Sequence, residues 1–331
     1  MTSSPAPELR ARSQARSATV DWADPTPESI RGRVVLDDNL HVLTELPDAC
    51  IDLIYVDPPF NTRKKQSLQT IKTIRDINGD RIGFHNNKYR SIKLSETTYT
   101  DIWNDYIGFL EPRVRAFHRV LKRTGSLYFH IDYREVHYCK ILLDMIFGRT
   151  CFLNEVIWAY DYGARTKTRW PTKHDNILVY ARDRSAYYFD INAVDRLPYM
   201  APGLVSPEKA ARGKTPTDTW WHTVVPTNGK ERLGYPTQKP MGILRRIVQA
   251  SCPPGGLVAD FFAGSGTTAA AALEHGCQFL SVDDTLEAFQ TQQRRFAEES
   301  GIEYLTSDGD SKWMVCRAEP PQLSIGTPKV G

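Results

Sequence analysis

An α/β fold built on a mainly parallel central sheet is what this sequence predicts, on three observations. Short apolar strand-like runs alternate with helical patterns along most of the chain, the signature of strand–helix–strand units. Two of those runs end in loops rich in Asp, Pro and Gly, where ligands of such sheets bind. The 331 residues, 41% hydrophobic and 24% charged, are enough to enclose a large core.

The elements follow in chain order. Val34-Val35-Leu36 is a short buried strand running into Asp37-Asp38-Asn39, and Leu40, Val42, Leu43 and Leu46 mark a brief helix. Ile51 to Val56 is a second strand, stopped by Asp57-Pro58-Pro59-Phe60, because a proline pair cannot continue a central strand. Residues 61–98 show little periodicity and form a basic insertion. Over 61–100, nine Lys or Arg (63, 64, 65, 72, 75, 81, 88, 90, 93) face three acids (76, 80, 96). Phe109, Val114, Phe117 and Leu121 recur at helical spacing from about 105 to 121, Gly125 ends that helix, and Ser126–Ile131 is a strand. A helix over about 133–147 precedes strands at 155–160 and 177–180. Pro, Gly, Lys, Arg and Trp dominate 181–234 without a clear pattern. A helix from Pro240 to about Ala250, a strand at Leu257–Asp260, a Gly264-Ser265-Gly266 turn, a helix over 267–275, a strand at 279–283 and a helix over 286–299 complete the pattern. Residues 1–30, rich in Ser and Arg at their start, are expected to be a disordered polar tail, and 301–331 a C-terminal extension.

Composition removes several function classes. No apolar run approaches a membrane span, so no membrane partner is expected. The six cysteines are scattered with no C-x-x-C pair, which fits reduced intracellular thiols and no metal site. A formal charge of +3 identifies no polyanion by itself, but locally basic segments do better.

The strand–Asp260-Phe261-Phe262-Ala263-Gly264-Ser265-Gly266-Thr267-Thr268–helix unit brings two glycines to a helix N-terminus, where backbone can approach a ligand closely. Asp283, 23 positions beyond Asp260, closes the next strand, where a carboxylate can accept both hydroxyls of a ribose. There is no G-x-G-x-x-G, which disfavours a nicotinamide cofactor, and no Gly-Lys-Ser/Thr, which excludes a phosphate-cradling loop. Asp57 alone reads equally well as a turn-capping carboxylate or as an acceptor for amino hydrogens.

Together these segments resemble the DNA amino-methyltransferases that use S-adenosylmethionine. Asp260 to Thr268 is similar to the family's D-x-F-x-G-S-G-T-T motif, Gly234-Tyr235-Pro236-Thr237-Gln238-Lys239-Pro240 to its G-Y-P-T-Q-K-P segment, and Asp57 to Phe60 to its D-P-P-[YF] box. The order, catalytic box before cofactor box, resembles the β-class, a circularly permuted arrangement of the Rossmann-like methyltransferase sheet. The resemblance covers roughly Arg33 to Glu299. It implies a catalytic half at 31–180, a cofactor half at 235–300, and a target-recognition segment within 181–234.

It also implies S-adenosyl-L-methionine as cofactor, held by Asp38, Thr237, Lys239, Asp260, Phe262, Gly264, Ser265, Gly266, Thr267 and Asp283. Asp38 stands where the family has G-D-x-L, although Asp37 replaces the glycine. In the catalytic box, Asp57 and a proline carbonyl (Pro58, Pro59) would each accept one hydrogen of an exocyclic amino group. That draws the nitrogen towards a tetrahedral geometry for direct in-line displacement. Phe60, with Tyr160 or Trp158, would stack on a base flipped from the duplex. Arg63, Lys64 and Lys65 after Phe60, and Arg165, Lys167 and Arg169 in a stretch with four basic residues and no acid, are the expected contacts to double-stranded DNA.

Aspartate at 57, where serine would favour cytosine, indicates adenine N6; cytosine N4 is the alternative. No cysteine follows a proline, so the nucleophile of C5 methylation is missing. A catalytically silent DNA-binding module is the alternative from another class. The resemblance further implies a prokaryotic or phage-encoded protein of the cytoplasm and nucleoid, and leaves open a homodimer and a cognate restriction enzyme.

Overall fold

Runs that are apolar at nearly every position become central strands covered on both faces. Ile51–Val56 is such a run, and all six of its residues are buried. The computed structural model describes backbone and side chains for residues 20–25, 27, 29–59, 105–163, 166–307 and 313–316, and backbone alone for 16–17, 64–75, 81–82 and 88–101. In chain order the elements are β1 (Arg16–Ser17), β2 (Gly32–Leu36), α1 (Asn39–Glu45), β3 (Ile51–Val56), β4 (Lys64–Arg75), β5 (Arg81–Ile82), β6 (Lys88–Asp101), α2 (Tyr106–Val120), β7 (Leu121–Ile131) and α3 (Val136–Phe147). They continue with β8 (Phe152–Ala159), β9 (His174–Ala181), α4 (Pro207–Arg212), β10 (Thr219–Trp221), α5 (Met241–Ser251), β11 (Leu257–Asp260), α6 (Thr267–Glu274), β12 (Gln278–Asp283), α7 (Leu286–Arg295), β13 (Ile302–Ser307) and β14 (Trp313–Cys316).

The described residues divide into two units, one of residues 1–58 and 107–331 and one of residues 59–106. The larger unit carries an eleven-stranded sheet in the order β1-β14-β13-β2-β12-β11-β3-β7-β9-β8-β10. From β13 to β7 every neighbour is parallel. β9 is antiparallel to both β7 and β8, and β10 runs parallel to β8. The predicted α/β class with a mainly parallel sheet therefore holds.

Alternation along the strands sorts side chains onto two layers. Leu53 and Tyr55, Ile177 and Val179 share a core with Ile243, Leu244 and Ile247 of α5, Ala271 and Ala272 of α6, and Phe289 of α7. On the other face Phe117 of α2 stacks on Phe261 at 5.3 Å, and Tyr180 of β9 donates to Asp144 of α3 at 2.7 Å.

Several expectations need correction. Gly125 does not terminate a helix: α2 ends at Val120, β7 starts at once, and Gly125 lies inside it. A Cβ there would sit 3.0 Å from the carbonyl oxygens of Ile51 and Asp52, so the residue permits close approach of β7 to β3 where their register slips. α7 stops at Arg295, four residues short of the expected end.

Nor is 1–30 all loose tail. Trp22 is buried against Trp313 at 5.0 Å, and the Arg33 guanidinium donates to the carbonyls of Asp24 and Pro25. The expected extension after 300 supplies β13 and β14, with β13 paired to β2. β2 in turn lies between β12 and β13, so the halves expected at 31–180 and 235–300 share one sheet.

In the smaller unit, the stretch read as lacking periodicity contains a long antiparallel pair, β4 with β6, and β5 beside β6. Alternation of Thr, Ser and Lys with a few apolar residues hid it, because neither face carries the apolar stripe by which strands are recognised.

Candidate active site

β3 and β11 are parallel neighbours, Leu53 opposite Val258 and Ile54 opposite Ala259, so both signal loops leave the same edge of the sheet. The placement of Asp57 and Asp260 follows from that register. β7 and β8 run in the same direction, which brings Ile131 and Ala159 to that edge as well, and β9 begins there at His174.

Asp57 is the centre of the arrangement. Its Oδ2 is ion-paired with Lys239 Nζ. Its Oδ1 is buried and has no hydrogen-bond partner among the described residues; the nearest ring nitrogen, His130 Nδ1, is 3.8 Å away. A buried carboxylate oxygen left open is costly unless something docks on it. Its chemistry is that of an acceptor waiting for an N–H. The Pro59 carbonyl accepts the Tyr106 hydroxyl at 2.5 Å.

The cofactor loop is tied together by its own polar atoms. Asp260 is buried and receives the Phe262 amide at 3.0 Å and the Thr268 hydroxyl at 2.6 Å. Burial pushes its carboxyl up to about 7 despite those two bonds. Asp283 receives the Gly264 amide at 2.8 Å and the Thr285 hydroxyl at 2.6 Å, and burial raises its carboxyl too. Gly264 and Gly266 both sit at positive φ, 49° and 74°. A Cβ on Gly264 would come within 2.9 Å of the Tyr235 ring, so the 234–240 segment closes directly over the turn. Thr267 seals that contact by donating to the Lys239 carbonyl at 3.1 Å, beside Ser265. This glycine-lined turn, with an acid at the end of the next strand, fits a cofactor carrying a ribose.

The remaining predicted residues are placed as follows. Asp38 caps α1 through the Leu40 amide at 2.7 Å and pairs with Arg113 at 2.9 Å. Thr237 is exposed. Trp158 is a core residue, 2% exposed, so only Tyr160 of that pair is open enough to meet a base. Lys167 and Arg169 are exposed on the loop between β8 and β9, and Trp170 beside them is 94% exposed. Phe60, Arg63 and Arg165 lie outside the described residues, as do the side chains of Lys64 and Lys65. Within 181–234, Trp220 is buried while Trp221 is 77% exposed.

Sequence reasoning missed Arg113, Asn39, His130 and Asp175. Arg113 joins Asp38 to Asn39, which in turn donates to the Phe261 carbonyl at 2.6 Å. No local motif marks these four. His130 and Asp175 do lie on strands that end or begin at the catalytic edge, and that was the available signal.

Comparison with known proteins agrees with this geometry. A family model described as a DNA methylase (N6/N4 methyltransferase) matches residues 51–294. The DNA adenine methyltransferase YhdJ of Escherichia coli K12 is 27% identical over 270 residues, 79% of this chain and 81% of its own length. The type II methyltransferase M.ScaI of Streptomyces caespitosus is 25% identical over 251 residues, 72% of each chain. Among solved structures, the cytosine-N4-specific PvuII DNA methyltransferase has a TM-score of 0.57 at 16% identity, covering 85% of this chain and 90% of its own. A DNA modification methylase of Thermus thermophilus, TTHA0409, complexed with S-adenosyl-L-methionine, has a TM-score of 0.51 at 19% identity, covering 84% of this chain and 98% of its own. These two likenesses concern the fold.

Proposed function

The chain belongs to the N6/N4 DNA methylase family, S-adenosylmethionine-dependent methyltransferases of DNA, and on that footing we propose that it methylates the N6 amino group of adenine in double-stranded DNA. The observation that carries the proposal is Asp57, with one oxygen paired to Lys239 and the other buried and open.

An exocyclic amino nitrogen is a poor nucleophile because its lone pair is delocalised into the ring. Asp57 Oδ1 accepts one amino hydrogen. The Tyr106 hydroxyl already engages the Pro59 carbonyl, which leaves the Pro58 carbonyl as the acceptor for the other. Both hydrogens held out of the ring plane localise the lone pair, and the gain is one of positioning and electrostatics. When bound, the cofactor supplies an electrophilic methyl carbon on a sulfonium. Gly264, Ser265, Gly266, Thr267 and Asp283 are the residues assigned to hold it, with Thr237 and Lys239 from the segment that closes over the turn, and Asp38, Asp260 and Phe262 lending support. Tyr160 is assigned a face of the extruded base, and Phe60 keeps its expected stacking role.

Adenine is supported by the aspartate at 57 and by the name of the YhdJ relative. Methylation of cytosine N4 is the second reading, since the PvuII enzyme of like fold is named for that activity. The type II methyltransferases among the relatives support a bacterial cytoplasmic setting opposite a cognate restriction enzyme.

Nucleoside mass spectrometry of DNA from cells with and without the protein decides the matter. The expected product is N6-methyladenine, lost in an Asp57→Ala variant. N4-methylcytosine alone would overturn the base assignment, and neither product would overturn the activity.

A further inference from the structure

His130, near the end of β7 at the catalytic edge, is fully buried yet surrounded by polar groups. Its Nδ1 lies 2.7 Å from the Tyr55 hydroxyl and 3.8 Å from the open Oδ1 of Asp57. Its Nε2 lies 3.4 Å from Asp175 Oδ2, and Asp175 Oδ1 receives the Tyr160 hydroxyl at 3.1 Å. Trp158 stands edge-on to the imidazole at 5.6 Å. A row of titratable groups thus runs from the catalytic carboxylate, through a dry imidazole, to a half-buried tyrosine at the rim.

The tautomer follows from the neighbours. Nε2 faces a carboxylate, which only accepts, so the neutral ring carries its hydrogen there. Nδ1 then accepts from Tyr55, whose phenol burial holds well above its ordinary value and therefore protonated.

Resting on the methyl-transfer reading above, we propose that His130 is a positioning residue that keeps Asp57 aimed and takes over the proton which the methylated nitrogen sheds into that carboxylate. The nitrogen–carbon bond forms as the sulfur–carbon bond breaks, with that electron pair staying on sulfur. The nitrogen is left with a positive charge and one hydrogen too many. That proton passes along the existing hydrogen bond to Asp57 Oδ1. At 3.8 Å the ring is beyond hydrogen-bond reach, so the protonated carboxyl must turn towards it, displace the Tyr55 donation and deliver the proton to Nδ1.

The imidazolium then lies between two carboxylates, Asp57 and Asp175, which favour its charge. Asp57 is restored as an anion, and the Nε2 hydrogen can leave through Asp175. Among the described residues the charges bearing on this ring come from Asp57 and Tyr55 (β3), Asp175 (β9), Tyr160 (after β8) and Lys239 (before α5). Asp260 of β11 and Asp132 after β7 act on Tyr55 and Tyr160 respectively.

The test is single-turnover transfer of labelled methyl to unmethylated plasmid DNA across about pH 5.5–9, for the unaltered protein, His130→Gln and Asp175→Asn. Cofactor affinity is measured alongside by calorimetry. The unaltered protein should lose rate on the acid side as the ring is protonated beforehand. His130→Gln should transfer on the order of 10- to 100-fold more slowly at about pH 8, with cofactor affinity unchanged and the acid limb flattened.

A merely structural histidine would lower the rate and leave the limb in place, and that result overturns the proposal, as does a His130→Gln rate within about threefold of the original. If His130→Gln does not fold, Asp175→Asn decides: an acid limb that moves supports the role, an unmoved one overturns it. No transfer by the unaltered protein would instead overturn the methyl-transfer reading, and this proposal with it.

Discussion

Asp57 and Asp283 both stand at the ends of parallel strands in one sheet, yet the structure gives them opposite tasks. Asp57 keeps an oxygen open, while Asp283 spends its oxygens on the Gly264 amide and on Thr285. Asp57→Ala should therefore lower methyl transfer on the order of 10³-fold with cofactor affinity nearly unchanged. Asp283→Ala should weaken cofactor binding about tenfold or more, since a charged hydrogen bond to the turn is lost. Calorimetry beside a transfer assay checks both, and substantial activity in the Asp57 variant would sink the mechanism.

Asp260 makes a pH prediction at the same scale. Its folded value, raised to about 7, lies above the ordinary carboxylate range. The folded form therefore holds a proton that the unfolded chain releases between about pH 4 and 7. That contribution to stability is fully present below about pH 4 and is lost as pH rises through about 7. The slope is on the order of one kcal/mol per pH unit. Thermal unfolding of Asp260→Asn against the unaltered protein from about pH 5 to 8 should show the unaltered protein losing ground as pH rises; parallel curves would refute the assignment.

Among elements, the β4–β6 pair shows how far charge counting reaches. It marks the segment as a DNA contact without showing that it is strand. Replacing Arg63, Lys64 and Lys65 with Gln should weaken DNA binding for all sequences alike. The slope of log K against log salt should fall by about 0.9 for each phosphate contact removed. An unchanged slope would mean that these charges are only solvated. The loop between β8 and β9 is the second basic element. Its Lys167 and Arg169 leave the edge of the sheet that also carries Asp57, which the sequence could not show, because register alone puts them there.

At the scale of the molecule, the segment beyond residue 300 belongs to the sheet. β13 covers β2, Arg33 reaches Glu303 at 3.0 Å, and Trp313 packs on Trp22 and on His41. A chain ending at Gly301 would expose β2 as an edge and uncover Trp22. Its melting temperature should drop by about 10 °C or more, or the protein should turn insoluble. A truncated chain melting within a few degrees of the full one would show that these strands are ornament.

The sequence by itself determined the α/β class, the two loops and their chemistry, because periodicity, proline stops and paired glycines act locally. Asp57-Pro58-Pro59 and Gly264-Ser265-Gly266 can be read from their neighbours alone. Only the tertiary structure decided that Gly125 lies within a strand, that Trp158 is core and Tyr160 rim, and that His130 and Asp175 stand behind Asp57. Each of these depends on which strand lies next to which, and strand neighbours distant in the chain leave no local trace in composition or period.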